Sequence, residues 1–376
     1  MTDALNVVDV TARTTPDEHA IDEARRVMTI CNACRYCEGY CAVFLEMTRH
    51  RTFQDHTLED LSHLCHNCTA CFHACQYKPP HEFQVNVPAA LSALRHSSYA
   101  VNVWPASAGL VFAHNGVFIA SLFVVSLLAS VMLGLLLHDP THLFSQHLGA
   151  GAFYRVIAHS TIVLLAGVAL TFAVVAAVVP LLRLHRRDDR PPTRSRLRAL
   201  GRTLSDIASL RNMGGGHGEG CNTEDDGFSN RRRLFHQLTA WGFLLCFLST
   251  ATATVYELVF GWLSPFSLTS LPVLLGMVGG VGIVAGPIGL LVEHRRMAPE
   301  VNGGAHQDLT VALITSLLLV GISGFAVLLL RETQWMGLVL IVHFGWVLAF
   351  FLMIPYSKFM HVPMRASSLY RHHRHR

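Results

Sequence analysis

Six long runs without charge constrain this chain more than any other feature of its sequence. A helix needs roughly 20 apolar residues to cross the hydrocarbon core of a bilayer, which is about 30 Å thick. Core helices of soluble proteins rarely run that long without charge, and only 14% of the 376 residues are Asp, Glu, Lys or Arg. The runs predict six membrane spans, near residues 110–137, 156–182, 236–256, 271–292, 309–330 and 334–356.

The distribution of basic residues predicts which side of the membrane each loop faces. Of the 29 Lys and Arg residues, all except Arg155 and Arg331 lie before the first span, after the sixth, or in the loops after the second and fourth. Cytoplasmic loops carry such an excess of positive charge. We therefore expect a multi-pass protein of the bacterial inner membrane with both termini in the cytoplasm.

Two basic segments have an ordinary explanation in this topology. The cytoplasmic loop 183–235 begins with many arginines, which are typical of a flank contacting anionic lipid headgroups. The pattern does not indicate a nucleic-acid partner. The basic tail 364–376 ends in RHHRHR, and its terminal position predicts an exposed surface segment.

The N-terminal region, residues 1–105, contains two cysteine runs of identical C-x2-C-x2-C-x3-C spacing. Such a run holds a cubane cluster, and in two-cluster ferredoxins the fourth cysteine of each run reaches the other cluster. The spacing predicts two [4Fe–4S] clusters. The predicted ligands are Cys31, Cys34 and Cys37 with Cys75, and Cys65, Cys68 and Cys71 with Cys41.

Zinc is the main alternative for these cysteines. Zinc sites usually combine two C-x2-C units across a longer gap, whereas each run here places four cysteines close together. The segments EARRVM and LEDLSHL before the runs have helical patterns. We therefore expect an all-α protein, in which a helical ferredoxin-like domain precedes a six-helix membrane bundle at 106–363.

Several histidines lie at or near membrane depth, where an ionisable group is a functional candidate. Facing helices can hold haem iron between two histidines. His159 and His343 are candidates for an outer haem b site, and His114 with His236 is preferred over His361 for an inner one. The alternative is that each is an interfacial histidine with a hydrogen-bond partner.

The chain also resembles a known family. The segments that carry the resemblance are CNACRYCEGYCAVF, CHNCTACFHACQ, LRNMGGGHGEGCN, RRRLFHQLTAWGFLLCFLST and PYSKFMHVP. They are similar to the tricarballylate-utilisation protein B family, also called the CitB-like membrane iron–sulfur proteins. The similarity covers nearly the whole chain.

This resemblance implies an electron-transfer partner for an FAD-dependent tricarballylate dehydrogenase, which oxidises its substrate to cis-aconitate. The family member reoxidises the flavin with [4Fe–4S] clusters and haem, and in a bacterial membrane the expected acceptor is quinone. The eight cysteines carry over as the cluster ligands. We thus expect an oxidoreductase component without its own substrate site. A subunit of another organic-acid or corrinoid-pathway dehydrogenase, or a membrane redox sensor, is the alternative.

Overall fold

Helices make up the regular structure of the described residues. The computed structural model describes residues 16–137, 140–185, 193–215, 218–223, 225–302 and 307–376, so the first 15 residues of the predicted N-terminal domain lie outside it. Within these ranges, the exception to helix is one antiparallel bridge between Cys221 and Ser229. The prediction of an all-α fold is confirmed.

A module of five helices carries both cysteine runs. Its core is apolar and includes fully buried Met28, Leu58, Leu61 and Leu91. The side chain of Asn86 accepts a hydrogen bond from the Ala89 amide and thereby caps the fifth helix. The helices are α1 (Glu18–Cys34), α2 (Ala42–Met47), α3 (Asp55–Leu64), α4 (Ala70–His73) and α5 (Val87–Asn102).

The membrane domain contains six helices that are long and apolar enough to span a bilayer, which confirms a multi-pass membrane protein. A 3-10 helix, Ala106–His114, precedes the first span, so His114 lies just outside that span. The third span begins earlier than predicted, at Arg231. The spanning helices and the short ones between them are α6 (Asn115–Leu137), α7 (Pro140–Leu143), α8 (His159–His185), α9 (Arg196–Ser209), α10 (Arg231–Phe260), α11 (Leu271–Arg295), α12 (Pro299–Asn302), α13 (Gln307–Leu330) and α14 (Met336–Met353).

Helices α10 and α11 pack unusually closely through a face of glycines. A Cβ atom on Gly242 would lie 2.8 Å from the Gly279 carbonyl oxygen, and one on Gly289 would overlap the ring of Phe235. Small residues let helix backbones approach in lipid, where packing replaces the hydrophobic effect as the source of association. This contact fixes the start of α10, where the candidate residue His236 lies.

The C-terminal segment is a helix, α15 (His361–Arg374), that packs into the module. Leu369 belongs to the module core, and Arg371 and His372 are 2% and 3% exposed. His372 hydrogen-bonds to the Glu46 carboxylate at 2.8 Å, and Arg371 bonds to Asp60. The prediction of an exposed basic tail is therefore wrong, because the buried Glu46 and the partly buried Asp60 of the module bind its His372 and Arg371.

Candidate iron–sulfur and histidine sites

Each cysteine run lies at the end of a helix, where the chain turns sharply. The last turn of α1 carries Cys31 and Cys34, and Arg35 directly after it takes the left-handed conformation with φ 56°. A residue in that conformation ends a helix and reverses the chain. The second run turns in a similar way after α3, with φ 55° at Asn67 and 63° at Thr69. These turns fold each run back on itself.

The thiols form two groups of four, and each group takes one cysteine from the other run. The groups are defined by the strongest electrostatic interactions between the thiols, and weaker ones join Cys37 to Cys41 and Cys71 across the groups. This is the grouping that the sequence predicts, and the role of these cysteines as cluster ligands stays a prediction. The first site contains Cys31, Cys34, Cys37 and Cys75, and the second site contains Cys41, Cys65, Cys68 and Cys71.

The chemistry of both sites suits iron–sulfur clusters. Burial, together with the neighbouring thiols, raises the pKa of Cys31 and of Cys37 to about 12. Thiols in such surroundings ionise only when a cation binds them. Among the described residues, no three His, Cys, Asp or Glu side chains lie close enough to hold a single metal ion. A group of four thiols is the donor set that a cubane cluster takes.

The two sites differ in exposure. At the first site Cys34 is exposed to solvent, and Tyr36 beside it is 68% exposed. At the second site Cys65 is buried. The sites adjoin each other, since the thiols of Cys37 and Cys71 interact electrostatically. The first site thus faces the surroundings of the protein, and the second lies behind it.

Three arginines from different helices surround the backbone of the second site. Arg95 on α5 donates to the Cys65 carbonyl at 2.6 Å, and Arg365 on α15 donates to the same oxygen at 2.7 Å. Arg232, in the first turn of α10, donates to the Asn67 carbonyl at 2.5 Å. The second site therefore lies at the start of a membrane span, in a strongly positive environment.

The positive environment also reaches Lys358 in the PYSKFMH motif. Its ammonium donates to the Thr310 hydroxyl at 2.5 Å. Burial, together with the charges of Arg95, Arg232 and Arg365, lowers the pKa of Lys358 to about 7. A negatively charged cluster bound by four thiolates is stabilised by cations arranged in this way.

The described parts of the glycine-rich loop, residues 210–215 and 218–222, close over the second site. Asn212 accepts a hydrogen bond from the Ala42 amide at 3.1 Å, and the Asn222 amide donates to the Cys68 carbonyl at 3.2 Å. Buried Cys221 packs directly against Cys68, and its thiol donates to the Met213 carbonyl at 3.3 Å. Sequence reasoning missed this role for Asn212 and Cys221.

The glycines in this loop are the signal that could have revealed it. Gly215 has φ +64°, and a Cβ there would lie 1.9 Å from the Gly220 carbonyl oxygen. Gly220 itself has φ +122°, and a Cβ there would lie 2.4 Å from the Ser229 carbonyl oxygen. Glycine is required where backbones approach so closely, and the loop folds tightly enough to cover a buried site.

Three histidines, His66, His236 and His361, form an inner histidine group beside the second site. The rings of His236 and His361 have centroids 6.0 Å apart, and His66 is close enough to His236 to interact electrostatically. The structure thus pairs His236 with His361 instead of His114, which is exposed at the end of its 3-10 helix. Sequence reasoning did not select His66, although it lies between two predicted cluster ligands.

The inner histidine group is arranged as metal-binding imidazoles usually are. Nδ1 of His66 lies 2.9 Å from the Leu64 carbonyl and Nδ1 of His361 lies 2.5 Å from the Lys358 carbonyl. Since a carbonyl only accepts, these nitrogens donate and Nε2 keeps its lone pair. Burial, followed by Arg365, lowers the pKa of both histidines well below 6.5, so both rings are neutral at pH 7.

The third histidine of this group, His236, has a ring nitrogen without a partner in the described part of the chain. Nδ1 of His236 is buried and has no hydrogen-bond partner among the described residues. A buried polar atom without a partner is costly unless something else binds it or its ring. The rings of His236 and His361 are the pair that the structure brings together as candidate axial ligands for haem b.

The two outer candidates have different partners. Nδ1 of His343 lies 2.9 Å from the Ser323 hydroxyl, which itself donates to the Val320 carbonyl, so His343 donates and its Nε2 is available. Nε2 of His159 lies 3.0 Å from the Glu257 carboxylate. His343 fits an axial ligand, whereas His159 in this structure uses the nitrogen that would bind iron.

Comparisons with known proteins agree on one family. Residues 111–376 match the family model described as citrate utilization protein B, and residues 24–101 match that of the citrate utilization protein B Fer4-like domain. A curated relative, citrate utilization protein B of Escherichia coli, is 40% identical over 353 residues, which cover 92% of this chain and 90% of the relative. No solved structure matches the chain. The Fer4-like match includes both cysteine runs.

Proposed function

Because the chain belongs to the citrate utilization protein B family, we propose that it is the membrane electron-transfer partner of an FAD-dependent tricarballylate dehydrogenase. It reoxidises the reduced flavin of that enzyme and passes the electrons through two [4Fe–4S] clusters and haem b to the quinone pool. The resemblance to the tricarballylate-utilisation proteins and the name of the Escherichia coli relative both favour a tricarboxylate as the partner's substrate.

The observation that carries this proposal is the order of the sites. The exposed first site adjoins the second site, and the second site adjoins the inner histidine group at the start of α10. A row of redox sites from an exposed surface to a membrane span suits electron transfer. A sensor needs no such row, and the order therefore favours the electron-transfer proposal over the redox-sensor alternative.

Each site has a distinct task in this scheme. When bound, a [4Fe–4S] cluster takes up and releases single electrons, which the two-electron chemistry of a flavin requires. Exposed Cys34 and Tyr36 place the first site where a protein partner reaches it. The arginines around the second site favour the reduced, more negative state there. Electrons thus enter at the first site and leave from the second.

Haem b, when bound, supplies a one-electron centre within the apolar slab, where free charge is costly. His236 and His361 are the residues that would hold it. His343 would belong to a further site nearer the opposite end of the bundle. One or two haems per chain are consistent with these residues.

The packing of α15 into the N-terminal module supports one part of the predicted topology. Because the two terminal segments contact each other, they lie on the same side of the bundle. The distribution of basic residues assigns that side to the cytoplasm. The cytoplasmic orientation and the inner membrane location are part of this proposal.

The proposal is tested by mixing the anaerobically purified protein, in lipid nanodiscs, with the flavin dehydrogenase and tricarballylate. We expect the clusters and the haem to become reduced, as followed by electron paramagnetic resonance and absorption spectroscopy. A quinone should then reoxidise them. In the specificity control, tricarballylate and its dehydrogenase are replaced by citrate, or another acid, and the dehydrogenase that oxidises that acid. If the reduced dehydrogenase leaves the clusters oxidised, the proposed partner is wrong.

A further inference from the structure

Helix α9, in the loop between the second and third spans, has an apolar stripe that no part of the described protein covers. Leu197, Leu200, Leu204 and Ile207 are 82%, 47%, 57% and 36% exposed. Their spacing of three, four and three residues places them on one face of the helix. An exposed stripe of this kind on a loop helix indicates a binding surface.

The opposite side of α9 fixes its orientation. Ala199 and Thr203 are buried, 0% and 3% exposed. Asp206 binds the ring of His373 on α15 at 2.9 Å, and Arg194 bonds to the Arg374 carbonyl. Because these contacts hold α9 on α15, the helix cannot rotate its leucines into the core. The stripe therefore keeps facing away from the protein.

The C-terminal end of α9 lies at the level of the membrane boundary. The Ser209 carbonyl accepts hydrogen bonds from Arg233 at 2.7 Å and from Gln237 at 3.1 Å. Both donors belong to the first two turns of α10, the third membrane span. The same loop is joined to the second span, which ends at Leu184. The helix is thus next to the bilayer surface.

One basic residue borders the stripe. Arg196 lies at its margin, whereas Arg198 and Arg202 lie on the polar face of the helix. All three are exposed. An apolar face with an arginine at its margin is the pattern of a helix lying in the membrane interface, where a long arginine side chain reaches the phosphates.

We propose that α9 is an interfacial anchor that lies in the headgroup region of an anionic bilayer. The stripe enters the boundary with the acyl chains, and Arg196 at its margin binds a lipid phosphate. Since α9 also holds α15, this contact braces the module against the membrane. The inference does not depend on the proposed electron-transfer function.

Photo-crosslinking of the full protein in nanodiscs tests this inference. A benzophenone amino acid replaces Leu200 in one variant and Ser205, on the polar face, in a matched control. In phosphatidylglycerol discs we expect lipid adducts at position 200 and few at position 205. In phosphatidylcholine discs the yield at position 200 should fall several-fold. Combining the label with Arg196→Gln should lower the phosphatidylglycerol yield toward the phosphatidylcholine level, whereas Arg202→Gln, on the polar face, should leave it unchanged.

Three results would overturn the inference. Absence of lipid adducts at position 200, in protein that keeps its clusters, would show that the stripe does not meet the bilayer. Equal yields in the two lipids would remove the role of anionic headgroups. If the same label is crosslinked in native membranes and the adducts at position 200 are mainly with another protein, the stripe binds a protein partner instead of lipid.

Discussion

The first and second sites have identical cysteine spacing and very different surroundings. The first is exposed at Cys34, whereas the second is enclosed by three arginines, the glycine-rich loop and the inner histidine group. The ligand set determines which cluster forms, while charge, hydrogen bonding and burial set its potential. The comparison teaches that one repeated motif can lie in two different environments, which the proposed electron path uses as its entry and its exit.

Removing one ligand from each site gives the largest expected effect. Wild-type protein should contain about eight non-haem iron atoms and eight acid-labile sulfides per chain. Either Cys34→Ser or Cys68→Ser should remove or cripple one cluster and lower both counts by up to half. Electron paramagnetic resonance should show a different remaining cluster in the two variants. Cys246→Ser, at the α10–α11 contact, is the control and should retain both.

If both cysteine variants lost the same signal, the two sites would not be separate. Zinc without labile sulfide in the wild-type protein would contradict the cluster prediction altogether.

The second expected effect distinguishes the inner histidine group from the histidines elsewhere. His361→Ala should remove a b-type haem band from the reduced spectrum and leave the clusters in place, because an axial ligand is lost. His114→Ala, at an exposed position, should not change the spectrum. His343→Ala should abolish the remaining band if a second haem is present. Unchanged bands in the His361 variant would place the haem elsewhere.

A smaller effect is expected from the arginines around the second site. Arg365→Gln removes one positive charge near that site and should lower the potential of its cluster by on the order of 50 mV. This estimate follows from about 1–2 kcal/mol for a charge at roughly 10 Å in an effective dielectric of about 20. Potentiometric titration measures the shift. Arg35→Gln should affect only the first cluster, and equal shifts of both clusters by Arg365→Gln would contradict the assignment.

The smallest expected effect comes from Cys221, the additional thiol at the second site. Cys221→Ala should keep both clusters and lower the potential of the second by less than the arginine substitution does, since a neighbouring S–H group stabilises a ligand sulfur only weakly. Cys246→Ala is the matched control and should leave both potentials unchanged. Loss of the second cluster from Cys221→Ala would instead make Cys221 a ligand.

The sequence by itself determined the spans, the helical module and the two cysteine runs. These features have a local cause: a span is a continuous apolar run, and a cluster run is a spacing within 11 residues, such as 31–41. The family resemblance was also inferred from short sequence motifs. The helices before the runs, α1 and α3, were predicted for the same reason.

Only the tertiary structure decided what surrounds the sites. The contact of His372 with Glu46 joins residues 326 positions apart, and Asn212 meets Ala42 across 170. The same holds for His236, whose partner is His361 because α10 and α15 begin at the same end of the bundle. No local pattern encodes such contacts, since they depend on how whole helices pack. For that reason the sequence supplied the predicted ligands, and the fold supplied the surroundings that make the two sites different.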